Sequence, residues 1–431
     1  MVKVWEKIKS KNSLPLLLFF IILLNYFPII IKNIATKRAI GGGTKEMLIA
    51  FAIEVIILGL YLIKKIKFSK ESKRNLTILI ATSVILFVVQ VYKYMIGTCE
   101  LFDFANIICI AINIFLLYIL LMEIDVEEKY IYNFFIAIVS MGIVACIVNV
   151  IIYHKEILGL LGINGESRFH SIKSFFAHRN QFAAFLYFAI MSNIMLILKC
   201  DKKTKQIILW IIMAILGINL FLTASRTGIL CTAIFAGLFF LTTNKLSKKT
   251  KFIVILIGVF IFSIAGIFVY NNCPEVIETI EKNFIRKASI KNFTGRTKVW
   301  IEAEKILTEN PINALFGIGR FAGGELIQNK YEINHFHNFY IESMITGGFM
   351  ELLFFLFIYF TVIRKVWKSG IEKQYKLTYI CLYISYAIYG LCECMGRFSM
   401  GYVDTICFIM LISIPLLHAN SVKDKKQEVQ K

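Results

Sequence analysis

The hydrophobic residues of this chain are gathered into twelve stretches, each close to the length that a helix needs to cross a bilayer. A spanning helix takes roughly 20 mostly apolar residues. The stretches are Leu14–Ile31, Met47–Ile63, Leu76–Tyr92, Leu101–Met122, Tyr130–Ile152, Phe182–Leu198, Ile207–Leu222, Ile229–Thr242, Phe252–Val269, Phe339–Ile363, Leu377–Cys392 and Val403–Leu417. Backbone polar groups in lipid must pair within their own segment, and only five prolines occur in 431 residues. The sequence therefore predicts an all-α integral membrane protein with about twelve transmembrane helices.

The basic residues predict how these helices are oriented. In a soluble protein, a net charge of +20 would suggest a nucleic-acid partner. Here Lys and Arg are concentrated in alternate loops and at both termini, at residues 3–11, 64–74, 199–205, 245–251, 364–376 and 423–431. Because basic loops stay in the cytoplasm, we expect a multi-pass protein of the cytoplasmic membrane with both termini cytoplasmic and no nucleic-acid partner. The turn at residues 32–45, with four basic residues, is an exception.

This topology leaves two long segments outside the cell, residues 154–181 and 271–338. Both mix polar and basic residues with Phe and Gly, a composition that favours ordered structure over a flexible linker. In the second segment, between the ninth and tenth spans, Pro274–Asn283 and Lys298–Glu309 are predicted to form short amphipathic helices. Turns are expected at four glycines, Gly317, Gly319, Gly323 and Gly324. The chain is predicted to be one membrane domain, residues 1–431, with an external cap.

Two basic motifs lie at the predicted outer ends of spans. His178, Arg179 and Asn180 precede the sixth span, and Arg226 lies in the tight turn Ser225-Arg226-Thr227-Gly228 before the eighth. The planar guanidinium of arginine is suited to phosphate oxygens. Either motif is also explained by cations at headgroup depth or by a snorkelling arginine, and the sequence leaves both readings open.

Two further motifs belong to the longer external segment. Arg296 and Trp300 open a predicted helix, whose backbone N–H groups attract anions, and Arg320 follows Gly317 and Gly319. These glycines are not a dinucleotide fingerprint, because no strand precedes them.

The segment His335-Phe336-His337-Asn338 enters the tenth span. The positive end of a helix dipole disfavours imidazolium, which predicts a neutral His337 that can act as a general base. Two histidines at i and i+2 with no nearby third ligand are a poor zinc site, so no metal is predicted.

Acidic residues within or beside the spans are the remaining signal, because charges are costly in lipid and usually face a protein interior or a cavity. They are Glu54, Asp103, Glu351, Glu393 and Asp404. For Glu393 and Asp404, a structural pair with Arg397 is one interpretation. Proton coupling in a transporter is the other.

Taken in this order, the motifs resemble the O-antigen ligase and O-antigen polymerase family of bacterial envelope enzymes. The matching residues are Leu222-Thr223-Ala224-Ser225-Arg226-Thr227-Gly228, Gly295-Arg296 with Trp300, Gly317 and Gly319, His337-Asn338, and upstream His178-Arg179-Asn180. The resemblance covers roughly residues 168–348, and the helix count extends it to the whole chain. Gly348 fits the ligase pattern, but Glu351 stands where that pattern has a second glycine.

The resemblance implies a GT-C-like membrane glycosyltransferase that inverts the anomeric centre and needs neither metal nor cofactor. The donor would be an oligosaccharide on undecaprenyl pyrophosphate in the outer leaflet, and the acceptor a glycan or a lipid-linked glycan. Membrane lipids surround such an enzyme, and a flippase and a chain-length regulator are candidate partners.

The resemblance also implies roles for individual residues. His337 would be the catalytic base, and Arg226 and Arg296 would stabilise the departing diphosphate. Arg179 and Arg320 would hold donor phosphates, and substrate binding would also involve His178, Asn180, Trp300 and Asn338. Three functions stay open: polymerisation of repeat units, ligase-type transfer to a lipid or cell-wall acceptor, and, in a different class, transport or flipping of a lipid-linked or anionic substrate.

Overall fold

The computed structural model describes residues 70–97, 126–160, 172–176, 178–244, 247–253, 296–331, 335–394 and 403–422. Within these ranges all regular structure is helical. The helices are α1 Lys70–Met95, α2 Glu128–Ile152, α3 His154–Leu160, α4 Arg179–Lys199, α5 Lys203–Leu222, α6 Arg226–Thr242, α7 Arg296–Glu309, α8 Pro311–Phe316, α9 Arg320–Tyr331, α10 Phe339–Lys368, α11 Lys373–Gly390 and α12 Val403–Ser421. The predicted spans Leu14–Ile31, Met47–Ile63, Leu101–Met122 and most of Phe252–Val269, and the predicted helix Pro274–Asn283, lie outside the described residues.

Five of the described helices are long and apolar enough to cross a membrane, namely α1, α2, α4, α5 and α10. Two shorter apolar helices, α6 and the Cys407–Ser421 part of α12, accompany them. The expectation of an all-α integral membrane protein is therefore confirmed, and the count of twelve spans stays a prediction.

The basic segments of the described bundle share one end. Lys199, at the end of α4, forms an ion pair of 2.7 Å with Glu128 at the start of α2. The hydroxyl of Tyr132, one turn further along α2, donates to that of Tyr375 near the start of α11, and Tyr379 bonds His418 near the end of α12. We call this the basic end, and the opposite end, where α4, α6 and α10 begin and α11 finishes, the site end. The basic loops alternate with less basic loops along the sequence, and successive helices run in opposite directions. The basic loops of the described bundle therefore lie together at one end.

Small residues let the helices of the core approach closely. A Cβ on Gly142 of α2 would lie 2.9 Å from the Cβ of Ala189 in α4, and one on Gly228 of α6 would lie 2.7 Å from that of Ala183. Such contacts are the usual basis of helix packing in lipid, where burial of apolar surface provides little driving force. They make α4 the central helix, and its aromatic residues are fully buried.

Helix α10 is two helical arms joined at a sharp bend. The ring of Phe339 lies 5.9 Å from that of Phe355 and 6.4 Å from that of Tyr359. In a straight helix, residues 339 and 359 would be about 30 Å apart, so the first arm must fold back against the second. The bend is at Gly347 and Gly348, whose backbone is not helical. The predicted tenth span is therefore formed by the second arm alone.

Helices α7, α8 and α9 form the cap. The loop between α8 and α9 donates hydrogen bonds to carbonyl groups of α10 that lose their helical partners at the bend. The carbonyl oxygens of Ile345 and Thr346 accept the N–H groups of Ile318 (2.7 Å) and Gly319 (3.1 Å), which lie between α8 and α9. The side chain of Gln90 in α1 donates to the Thr346 carbonyl as well, at 3.4 Å. A small apolar core seals this contact and consists of Val299, Ala303, Ile306, Ile318, Ile327, Phe336 and Ile345. The cap is thus docked on the first arm of α10.

Two of the four glycine turns predicted in the cap are wrong. Gly317 and Gly319 have positive φ and form the expected turn. Gly323 and Gly324, in contrast, lie inside α9. Gly323 has a packing role instead, because a Cβ there would overlap the side chain of Ile345.

We expect Gly348→Ala to destabilise the protein. Its φ is +69°, which L-residues rarely adopt, and an added Cβ would overlap the backbone of Leu315 and Phe316. The thermal unfolding midpoint in detergent should fall by several degrees. Gly237→Ala in α6, where no described atom lies within 4 Å of the added Cβ, is the matched control and should not lower it. Equal midpoints for the two variants would contradict the packing described at the bend.

Candidate active site

A buried carboxylate is the centre of a polar cluster at the site end. Glu393, just past α11, accepts hydrogen bonds on Oε1 from Arg296 Nη2 at 2.7 Å and from Asn180 Nδ2 at 2.6 Å. Its Oε2 lies 3.6 Å from Nδ1 of His337. The side chain of Glu393 is 4% exposed and that of Arg296 is 16% exposed. A carboxylate so shielded needs partners of this kind, because burying a charge alone is costly.

The loop that presents His337 is fixed at several points. The indole N–H of Trp300 donates to the Phe336 carbonyl at 2.8 Å, and the Phe336 N–H donates to the buried carboxylate of Glu342 at 2.9 Å. Asn338 caps α10, since its side-chain oxygen accepts the N–H groups of residues 340 and 341, and its amide donates to the Leu391 carbonyl. Trp300 and Asn338, predicted to bind substrate, therefore have supporting contacts that hold His337 near Glu393.

His337 itself has an unfavourable backbone. Its φ is +51°, in the left-handed region that a side chain of this size seldom adopts. Ala224, directly before the Ser225-Arg226 turn, has a φ of +49°. Strained backbone of this kind is typical of functional sites, where the surrounding structure maintains it. Both positions belong to motifs singled out from the sequence.

Three of the four arginines predicted to bind phosphate share a structural position. Arg179, Arg226 and Arg320 are the first residues of α4, α6 and α9, and Arg296 is the first described residue of α7. A cation at a helix start opposes the helix dipole and costs roughly 0.3–1 kcal/mol. The same arrangement places guanidinium groups at the positive ends of helix dipoles, and together these attract an anion. Three such positions in one protein therefore favour binding over stability.

Three of the four arginines can be located relative to His337 and Glu393. Arg296 contacts Glu393 directly. Arg179 is next to Asn180, which also bonds Glu393. The charge of Arg320 is near enough to contribute to lowering the pKa of His335. The ring of His335 is tilted by 49° to that of His337, with 3.9 Å between their centroids.

The fourth arginine, Arg226, is located through its helix. Ser225 caps α6 by accepting the Gly228 N–H, and Gly228 packs against the second turn of α4. At the other end of α6, the N–H of Asn244 donates to Gln374 at the start of α11 (2.9 Å). Helix α6 therefore runs antiparallel to α11 and starts at the site end, where the half-buried Arg226 lies.

Burial sets the protonation of the groups around Glu393. Burial alone would raise the pKa of Glu393, but the adjacent His337 and Arg296 outweigh it and hold the pKa below its ordinary value. Burial lowers the pKa of His335 to about 4. Nδ1 of His178 accepts the Asn180 N–H at 3.2 Å, which requires an unprotonated nitrogen there. At neutral pH the site thus has an ionised Glu393 and neutral His178 and His335.

The structure supplies a third group beside the two histidines that the sequence could not show. Ligand atoms of His335, His337 and Glu393 lie within 4.8 Å of one another. The charge around them argues against a cation, because Arg296 already contacts the Glu393 carboxylate. The flanking arginines would repel a divalent ion further. The group fits a base and its carboxylate partner better than a metal centre.

Glu393 is the candidate site residue that sequence reasoning missed. We expected a structural pair with Arg397, which lies outside the described residues, or a place on a transport path. The structure instead pairs Glu393 with Arg296, 97 residues away. The sequence did show that Glu393 is a carboxylate at the end of an apolar helix. A carboxylate in that position requires a buried partner. The place of Glu393 among the arginines at the site end is the one that the enzyme hypothesis predicts.

A family model described as O-antigen ligase matches residues 211–356, and a search of curated proteins finds no match. The matched stretch contains Arg226, Arg296 and His337, and it confirms the resemblance on which their roles were predicted. It also supports glycan transfer in polysaccharide biosynthesis by a multi-pass membrane protein. Asn180 and Glu393 lie outside the stretch, and the fold brings them to the same cluster.

Proposed function

We propose that this protein is a glycosyltransferase that polymerises oligosaccharide repeat units carried on undecaprenyl pyrophosphate, at the outer face of the cytoplasmic membrane. The observation that carries the proposal is the cluster in which Arg296, His337 and Asn180 contact Glu393. It lies at the end of the bundle where Arg179 and Arg226 begin α4 and α6. A sugar diphosphate is already activated, so the reaction needs no nucleotide. It needs positive charge for the leaving group and a base for the acceptor hydroxyl.

In the proposed reaction, a sugar hydroxyl of the acceptor attacks the anomeric carbon of the donor. Nε2 of His337 takes the hydroxyl proton, and Glu393, close to Nδ1, orients the ring and stabilises the imidazolium that forms. The bond between the anomeric carbon and the diphosphate oxygen breaks, and its electron pair leaves with the diphosphate. Arg226 and Arg296 stabilise this charge, with Arg179 and Arg320 holding the phosphates. Attack from the opposite face inverts the anomeric centre.

A polymerase and a ligase differ in the acceptor, which is another repeat unit for the polymerase and a lipid or cell-wall molecule for the ligase. We favour the polymerase because Glu351 stands where the ligase pattern has a glycine. Glu351 is buried in α10 and packs against Gly347 at the bend, so it is part of the structure that docks the cap. Ligase-type transfer to a lipid or cell-wall acceptor is the second candidate.

The purified protein in proteoliposomes should elongate a fluorescent undecaprenyl-pyrophosphate-linked oligosaccharide in the presence of EDTA and without nucleotide. The expected product is a ladder of longer glycans together with free carrier diphosphate, separated by gel electrophoresis and thin-layer chromatography. A ligase would give no ladder and would need an added acceptor. Intact donor that only changes leaflet would identify a transporter, and loss of the ladder in EDTA would refute the metal-independent mechanism.

A further inference from the structure

An apolar groove follows the surface of the bundle from the site end toward the basic end, between α10, α11 and α12. Its volume is about 370 Å³. Phe339, Tyr340 and Gly390 line its upper part, and Phe360 and Ile363 of the second arm of α10 line its lower part. Phe360 is 64% exposed, so the groove opens sideways from a helix that crosses the membrane.

The groove offers almost no polar group to an occupant. The hydroxyl of Tyr340 donates to the Ala387 carbonyl at 2.9 Å, and that of Tyr383 donates to the Leu411 carbonyl at 2.6 Å. These two tyrosines therefore present their rings to the groove while their hydroxyls are bonded within the protein. An occupant gains contact with aromatic and aliphatic surface only, which suits a hydrocarbon chain.

The upper part of the groove is continuous with the candidate active site. Phe339 is two residues from His337, and Gly390 is three residues from Glu393. Gly390 also forms the wall against Phe339, since a Cβ there would lie 3.2 Å from the Cβ of Phe339. A molecule with an anionic head among the arginines would therefore have its apolar part at the mouth of the groove.

We propose that this groove holds the first isoprene units of the carrier lipid, with the diphosphate at Arg296 and Arg226. This inference rests on the proposed function, because that function requires a ligand that joins a hydrocarbon chain to a diphosphate. Two guanidinium groups at one end of the groove favour a diphosphate over the single phosphate of an ordinary membrane phospholipid. The groove thereby sets both the depth and the direction of the donor in the bilayer.

Ala387→Phe tests the groove, because Ala387 is a small exposed residue in its wall. Native mass spectrometry would compare the affinity of the detergent-solubilised protein for undecaprenyl diphosphate and for inorganic pyrophosphate, which has no hydrocarbon chain. We expect the wild type to prefer the long chain and the variant to reduce that preference at least tenfold. A tenfold change is about 1.4 kcal/mol, which corresponds to about 55 Å² of apolar contact. Ala214→Phe, on the exposed face of α5, is the matched control and should keep the full preference.

The binding assay separates failure of this inference from failure of the proposed function. An unchanged preference in folded Ala387→Phe protein would overturn the groove assignment, even if the wild type transfers sugar. So would a wild type that binds ordinary phospholipid in the groove as tightly as the diphosphate. Normal long-chain preference in a protein that transfers no sugar would support the groove and refute the glycosyltransferase.

Discussion

Replacing His337 with asparagine should reduce glycan transfer by about 10²–10⁴-fold and leave the protein folded. The variant removes the group that we propose takes the proton of the acceptor hydroxyl. Asparagine is the appropriate replacement because it adopts positive φ more readily than most residues, so the backbone at +51° can be kept. Its short amide cannot serve as a base at neutral pH. The measurement is the initial rate of elongation by purified protein at matched concentrations.

His154→Asn is the control for this experiment. His154 is exposed at the start of α3, and its ring contacts only the nearby Ile151 carbonyl among the contacts described. The control should retain wild-type elongation and a wild-type unfolding midpoint. If His337→Asn elongated glycans within a few-fold of the control, His337 would not be the base.

The second large effect is expected at Glu393. Glu393→Ala leaves the guanidinium of Arg296 buried without its carboxylate, and removing one partner of a buried pair costs about 3–5 kcal/mol. Because the pKa of Glu393 is lowered in the folded protein, the contribution is present at neutral pH and is lost only as the pH falls below the ordinary carboxylate range. The unfolding midpoint in detergent at pH 7 should drop markedly, and elongation should be lost with it.

A double variant separates stability from catalysis at this pair. Glu393→Gln with Arg296→Gln removes both charges, so part of the stability should return while elongation stays absent. The exposed pair Lys330–Glu302, which joins α9 to α7 at 2.8 Å, provides the control. Glu302→Gln should alter neither quantity measurably, because exposed ion pairs contribute little. A double variant that elongates glycans would show that the Glu393 cluster is structural only.

Local sequence pattern was sufficient for the straight helices. The apolar stretch Phe182–Leu198 became α4 almost without change, because charged or polar residues lie at both of its ends. The bend in α10 was not predicted, because apolar residues on both sides of Gly347 and Gly348 form one continuous hydrophobic stretch. Hydrophobicity alone does not show whether such a stretch reverses its direction. Gly323 was mistaken for a turn since its role, close contact with Ile345, depends on a residue in another helix.

The same distinction applies to the candidate site. Arg226, Arg296 and His337 could be selected from the sequence because each combines a suitable side chain with a predicted helix start. Glu393 could not be assigned its partner, since the nearest cation in sequence is Arg397, whereas the fold brings Arg296 from the cap. Long-range pairs of this kind follow from the packing of helices. Hydrophobic periodicity predicts local secondary structure and cannot predict such pairs.

The most direct test of the central claim is a cryo-electron-microscopy structure of the purified protein with undecaprenyl diphosphate. We expect both phosphates at the site end, within hydrogen-bonding distance of the guanidinium groups of Arg296 and Arg226 and beside the ring of His337. Phosphates bound at the basic end, or out of reach of both arginines, would contradict it.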